Sequence, residues 1–165
     1  MTSLNIPLND GTNVPWLGFG SGTALWQQDA AEQVSNAIKA GFRHIDTAQM
    51  YANEESVGAG IVASGVARSQ LFISTKLDKL PHGQTVRDAL KESLRKLQTN
   101  YVDLFLVHMP KDHADLQKTW KEMEALKAEG LAKSIGVSNF QVKHLEVLLD
   151  GAKVVPSLNQ VSRKL

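Results

Sequence analysis

The sequence predicts an α/β fold of the (β/α)8 TIM-barrel type, incomplete, with about six βα units behind an N-terminal β-hairpin. Three observations carry that expectation. Strand-like and helical segments alternate from about residue 17 onward, the pattern of βαβ units on a parallel sheet. Asp46, Lys76, His108 and Ser138 each end an expected strand, at separations of 30, 32 and 30 residues, close to one βα unit each. Asp10-Gly11, set between two short extended stretches, is a strong hairpin turn signal.

Taken in order, residues 4–7 and 13–16 form the arms of the hairpin. A first helix is expected over 29–40, with Asp29 as its cap, Glu32 as the box partner and Gly41 as the stop. A short strand over 42–46 and a helix over 54–63 follow. The apolar run 71–76 reads as a buried strand ending on Lys76. In 85–97, Val86, Ala89, Leu90, Ser93, Leu94 and Leu97 recur at three- and four-residue intervals, and Thr85 with Asp88 makes a capping box. A strand over 102–107 leads to a helix over 115–129, which presents Leu116, Trp120 and Met123 on one face before Gly130 stops it. The pattern then gives a strand over 131–137, a helix over 141–149 ended by Asp150-Gly151, and a last strand over 154–161.

With 165 residues, 42% of them hydrophobic and 21% charged, the chain suffices for one substantial core, and 1–165 reads as one domain. Lys and Arg number 18 against 17 Asp and Glu, so the net charge of +1 provides no field that would draw nucleic acid or an anionic membrane. A small neutral substrate suits that balance. The absence of cysteine excludes disulfides, thiolate metal sites and a cysteine nucleophile. His44, His82, His113 and His144 lack metal-ligand spacing and read as structural or surface residues, so no metal is expected. No secretory signal opens the chain, and no stretch approaches the roughly 18 to 20 apolar residues that span a bilayer, which makes the cytoplasm the expected compartment. At the C-terminus Arg163 stands where the peroxisomal Ser-Lys-Leu address has its small residue.

Singly, each polar strand end has an ordinary explanation: Asp46 as a turn cap, Lys76 as a solvated rim charge, His108 as a satisfied interior histidine. Tyr51 alone would be an amphipathic packing residue. Together, at the carboxyl rim where such barrels build their sites, they suit proton and hydride transfer to a carbonyl. A phenol is a weak acid at neutral pH unless a nearby cation stabilises its phenolate, and Tyr51 beside Lys76 suits that pairing. Asp46 would balance the ammonium, and His108 would hydrogen-bond and orient the substrate carbonyl. Reduced nicotinamide would supply the hydride, since no side chain can.

Gly41-Phe42-Arg43-His44-Ile45-Asp46-Thr47-Ala48, followed by Glu54 and Val57-Gly58, resembles the aldo-keto reductase signature. Lys76 in Ser74-Thr75-Lys76-Leu77 and His108 in Val107-His108-Met109-Pro110 are similar to that family's catalytic segments, and Gly136-Val137-Ser138-Asn139-Phe140 to its second signature. Asn159-Gln160 falls where the family's next carboxamide-binding Gln lies. The resemblance implies an NADP-dependent barrel oxidoreductase in which Asp46, Tyr51, Lys76 and His108 are catalytic and Tyr51 is the general acid. It implies that Gly22, Thr23, Asp46, Ser138, Asn139 and Gln160 bind NADPH or NADP+, with Asp46 at the nicotinamide ribose. Tyr51, His108 and Trp26 would line the substrate site. Gly22 and Thr23 belong to the glycine-rich segment 18–23, which lacks the strand, turn and helix context of a dinucleotide fold's fingerprint.

Two departures qualify that picture. Met109 stands where many relatives carry Trp. After Val161 the family would continue with an acidic residue and a His-Pro segment, whereas here Ser162-Arg163-Lys164-Leu165 follows. The expectation is therefore a chain lacking the last two βα units, where the resemblance places the contacts to the adenosine 2′-phosphate. Its unsealed first and sixth strands would invite self-association. A non-catalytic remnant or interaction variant is the alternative to a working reductase.

Overall fold

The computed structural model describes residues 4–161; expectations for residues 1–3 and for the Ser162, Arg163, Lys164, Leu165 tail lie outside the described residues. The hairpin pairs β1 (Asn5–Pro7) antiparallel with β2 (Asn13–Pro15), Ile6 opposite Val14, and Gly11 supplies the positive φ of 84° that its turn needs. Then come β3 (Gly18–Gly20), α1 (Ala31–Lys39), β4 (His44–Asp46), α2 (Glu54–Ala63), β5 (Phe72–Leu77) and α3 (Val86–Lys96). They are followed by β6 (Val102–Val107), α4 (Leu116–Ala128), β7 (Ala132–Ser138), α5 (Val142–Leu149) and β8 (Asn159–Gln160). Strands β3 to β8 form one parallel sheet in chain order, with a helix between each successive pair, the architecture of an incomplete (β/α)8 barrel. Among the described residues β3 and β8 are each paired on one side only.

The register decides what faces inward. Gly18 pairs with His44, His44 with Phe72, Ser74 with Leu104, Leu104 with Ser134, and Ser138 with Gln160. Every offset is even, and side chains alternate along a strand, so the even-numbered strand residues share one face. On that face Phe72, Leu104 and Leu106 pack with Val14 of the hairpin. The odd face, with Ile45, Ile73, Phe105, Val107, Ile135 and Val137, packs against the helices and forms the main core. β5 and β6 are buried throughout, which is why they read as continuous apolar runs.

The hairpin sits at the amino ends of the strands. Asp10 accepts hydrogen bonds from Lys127 Nζ at 2.6 Å and Ser134 Oγ at 2.8 Å, and Asn9 Nδ2 donates to the Pro156 carbonyl at 3.0 Å. Burial opposes ionisation of Asp10, but the bonds from Lys127, Ser134 and Thr12 outweigh it and hold the carboxyl down at about 2. The opposite rim is left open for chemistry.

Three expectations about elements need correction. Asp29 does not form a box with Glu32: its carboxylate accepts from Ala31 N at 2.9 Å, and α1 starts later because Ala30 N is bonded to Ser56 Oγ. The glycine-rich segment, read as lacking a strand, begins as one, since β3 pairs with β4. The last strand is short. Pro156 has no N–H, the indole of Trp120 takes the Val154 carbonyl at 2.9 Å, and laddering starts only where Ser157 N reaches Ile135 O. By contrast, the Thr85–Asp88 capping box of α3 is formed.

Candidate active site

Asp46, Lys76, Ser138 and Gln160 lie at or next to the carboxyl ends of their strands, and His108 follows β6 directly. All are even-numbered and on the inner face. Lys76 is 2% exposed, and its ammonium has three partners: Asp46 Oδ1 at 2.7 Å, the Thr47 carbonyl at 3.0 Å and the Tyr51 hydroxyl at 3.3 Å. A buried ammonium requires such a set, because desolvation without compensation costs several kcal/mol, on the order of the Born penalty after relaxation. Asp46 is held in turn by Ser74 Oγ at 2.9 Å on Oδ1 and by Gln160 Nε2 at 3.3 Å on Oδ2.

Tyr51 is not on a strand. It closes a 3-10 turn, Gln49–Tyr51, after which Ala52 takes a left-handed φ of 54°. Gln49 pins that turn to α3, donating from Nε2 to Ala89 O and Ser93 Oγ and accepting at Oε1 from Asp78 N. Asn53 ties the other side, donating to the carbonyls of Ser21 at 2.8 Å and Leu25 at 2.7 Å. The ring meets His108 edge-on, with centroids 5.8 Å apart. A Cβ on Gly22 would lie 3.0 Å from Tyr51 Cζ, so the glycine is needed for the tyrosine to approach.

His108 has its Nδ1 buried with no partner among the described residues. Burial, reinforced by the Lys76 ammonium, pushes the imidazole below its ordinary value, so at neutral pH the ring is uncharged and carries one N–H. That makes it a hydrogen-bond donor rather than a source of protons. Met109 receives the Asn139 amide on its sulfur at 3.2 Å.

Ser138 and Asn139 stand beside His108. Ser138 Oγ donates to the Gln160 carbonyl at 2.8 Å, and Asn139, at φ 60°, donates from Nδ2 to the His108 carbonyl at 3.2 Å and to Ser138 Oγ at 3.0 Å. Neither caps α5, whose N-cap is Gln141, bonded reciprocally with His144. Thr23 adopts φ 46° at the start of the 3-10 turn Thr23–Leu25. Trp26 is half exposed at the rim, its indole donating to the Met50 carbonyl beside Tyr51 at 2.9 Å.

Two neighbours of the cluster escaped the sequence reading. Ser74 touches Asp46 directly, and His44, read as merely structural, has its Nε2 3.0 Å from Ser74 Oγ. Even parity on the strands was the available signal for both. Among the described residues no group of three His, Cys, Asp or Glu side chains could hold a metal, and no helix is long and apolar enough to cross a membrane.

A model of the aldo/keto reductase family matches residues 16–165. The chain is 46% identical over 158 residues to the glyoxal reductase of Bacillus subtilis, covering 94% of this chain and 56% of that protein. It is 44% identical over 160 residues to the methylglyoxal reductase DkgA of Escherichia coli K12, again 94% of this chain and 56% of that one. A crystal structure of an aldo/keto reductase from Brucella melitensis superimposes with a TM-score of 0.88 at 44% identity, over 98% of this chain and 64% of that one. An aldo-keto reductase of Bombyx mori, solved in complex with NADP, does so with 0.83 at 39% identity, over 99% and 59%. The chain thus spans little more than half the length of the curated relatives it matches. With nine-tenths of its residues matched by the family model and a parallel sheet that superimposes on two solved members, the chain belongs to the aldo/keto reductase family.

Proposed function

We propose that this chain reduces small aldehydes or ketones to alcohols with NADPH, Tyr51 acting as the general acid. The observation that carries the reading is the unbroken Asp46–Lys76–Tyr51 series, with a buried ammonium bonded to both the carboxylate and the phenol. A bound reduced nicotinamide supplies the hydride that no side chain can. Ser138, Asn139 and Gln160 suit its carboxamide, since each side chain offers both a donor and an acceptor, as an amide requires. Gly22, Thr23 and Asp46 would meet the cofactor's sugar. Tyr51 gives its proton to the carbonyl oxygen as that oxygen gains charge, and Lys76 stabilises the phenolate left behind. The neutral His108 donates its N–H to the same oxygen and sets the orientation of the carbonyl. Trp26 and Met109 border the space a substrate would enter. The glyoxal and methylglyoxal reductases among the relatives point to small, activated carbonyls. A cysteine-free chain using NADPH suits the cytoplasm.

A second reading has its own observation. Strands β3 and β8 each have a free edge among the described residues, and Leu17, Val155 and Val161 near them are about 60% exposed. A non-catalytic member that associates with itself or a longer relative through those edges would explain such a surface. The test is NADPH oxidation with methylglyoxal by the full chain, alongside NADPH titration by fluorescence and sizing across concentrations. The reductase reading expects turnover that Tyr51→Phe lowers by about 10²- to 10⁴-fold while NADPH affinity is kept. Equal turnover in Tyr51→Phe removes Tyr51 from the acid role. A folded chain that grows in size with concentration and turns over nothing supports the second reading.

A further inference from the structure

Gln49 opens the turn that ends on Tyr51, and its side chain takes the place of a strand. β4 pairs with β5 only as far as Asp46 opposite Ser74, after which the chain leaves the sheet for the 3-10 turn. Where that pairing begins, Phe72 N donates to the Arg43 carbonyl at 2.7 Å. Further along β5 the Asp78 N–H, of the same parity, finds its acceptor in Gln49 Oε1 at 2.9 Å. The offset of 29 residues between donor and acceptor is kept, but a side-chain amide stands where the departed main chain would have supplied a carbonyl. The other edge of the same peptide unit, the Leu77 carbonyl, accepts from His108 N at 3.1 Å. One peptide plane therefore joins the Tyr51 turn, the strand of Lys76 and the backbone of His108.

The amide has a single orientation. The Ala89 carbonyl can only accept and Asp78 N can only donate, so Nε2 faces α3 and Oε1 faces β5. Its two protons go to Ala89 O at 3.1 Å and to Ser93 Oγ at 2.9 Å, one helical turn apart. Ser93, 1% exposed, is free to accept because it gives its own proton to Glu54 Oε2 at 3.1 Å. Glu54 Oε1 takes the hydroxyl of Thr75, the neighbour of Lys76, at 2.6 Å. The ties on the turn from Asn53, Trp26 and Gln27 lead to residues 21–27. The tie from Gln49 leads to the strand that carries Lys76.

We propose that Gln49 is a positioning residue that sets how Tyr51 stands over Lys76 and against His108. The inference rests on the proposed role of Tyr51 as general acid. The Tyr51 hydroxyl is 3.3 Å from Lys76 Nζ, near the outer limit of a hydrogen bond, so a shift of a few tenths of an ångström breaks the contact. Loss of the amide removes the acceptor of Asp78 N and the hold on α3 together, and lets the turn make that shift.

The test uses Gln49→Met in the full chain, which keeps the length of the side chain and loses the amide. kcat should fall about 10- to 100-fold with KM for the carbonyl within about twofold of wild type. In a Tyr51→Phe background the same substitution should change the residual turnover by less than about twofold, because the hydroxyl it positions is already gone. Equal losses in the two backgrounds, or a raised KM with kcat preserved, overturn the proposal. Two readouts need no turnover. The Asp78 amide should exchange about tenfold faster in Gln49→Met, and the NMR cross-peaks between the Tyr51 and His108 rings, whose centroids are 5.8 Å apart, should weaken. Exchange or cross-peaks left unchanged also overturn it. Where Gln49→Met does not fold, Gln49→Asn, whose amide is one methylene too short to reach α3 and β5 together, carries the same expectations. A wild-type chain without turnover defeats the proposed reduction, whereas the exchange and the cross-peaks still decide the positioning.

Discussion

Lys76 Nζ stands 2.7 Å from Asp46 Oδ1, and of the two side chains the ammonium is the deeper, 2% exposed against 18%. That asymmetry predicts unequal costs. Asp46→Asn leaves a buried cation with neutral acceptors only, the new amide oxygen, the Thr47 carbonyl and the Tyr51 hydroxyl, and should destabilise by about 3 kcal/mol. Lys76→Met leaves a partly solvated carboxylate that Ser74 and Gln160 still hold, and should cost about 1 to 2 kcal/mol. The double variant should cost less than the sum by about 1 to 2 kcal/mol. Urea denaturation of the four proteins measures the coupling, and strict additivity would mean that the pair is not an energetic unit.

Gly22→Ala separates two explanations of one glycine. At φ −79° the backbone accepts alanine without strain, so the effect comes from the new Cβ, 3.0 to 3.3 Å from three atoms of the Tyr51 ring. The ring must give by a few tenths of an ångström, moving a hydroxyl that is 3.3 Å from Lys76. Turnover should fall about tenfold, as small misplacements of a reacting group do, and by more than NADPH affinity falls. A fall in NADPH affinity with kcat preserved would instead assign Gly22 to cofactor approach.

Much of the rim was legible because even spacing and parity are properties of sequence. Asp46, Lys76, His108, Ser138 and Gln160 are separated by even numbers of residues, and parallel pairing at even offsets puts them on one face. Tyr51 was legible only through the motif around it, since a 3-10 turn has no periodicity to read. Parity puts His44 and Ser74 on the inner face, but the link between them was not legible, because it joins a side chain to the next strand one layer up. The start of α1 and the shortness of β8 were hidden for a related reason. Partners distant in sequence, Ser56 and Trp120, take the Ala30 N–H and the Val154 carbonyl.

Gly58 shows the same division: the motif names it, and packing explains it. A Cβ there would lie 2.2 Å from the Lys96 carbonyl and 2.8 Å from Leu97 Cα, both backbone atoms at the end of α3 that cannot rotate away. Gly58→Ala improves helix propensity by about 1 kcal/mol, yet it must separate α2 from α3. The net effect should be a loss of about 2 to 3 kcal/mol in chemical denaturation. A variant as stable as wild type would show that the two helices can part without loss.

The buried histidines predict how the fold responds to acid. Burial is the main cause that lowers the imidazoles of His44, His108 and His113 from the ordinary 6.5. Below pH 6.5 the unfolded chain takes up protons that the folded chain resists, so the stability these groups contribute is present above that pH and lost as pH falls. Glu54 acts in the opposite sense. Burial raises its carboxyl above the ordinary 4.5 despite hydrogen bonds from Thr75 and Ser93, so its contribution is fully present below 4.5 and is lost as pH rises through its folded value. Three groups against one give a net loss of stability on acidification from about pH 7 to about pH 5. Melting temperatures across that range should fall, and His113→Leu, which removes a buried imidazole whose Nε2 has no partner among the described residues, should flatten the slope. A melting temperature that rises toward pH 5 would mean that Glu54 outweighs the three rings, and a slope unchanged in His113→Leu would remove that ring from the balance.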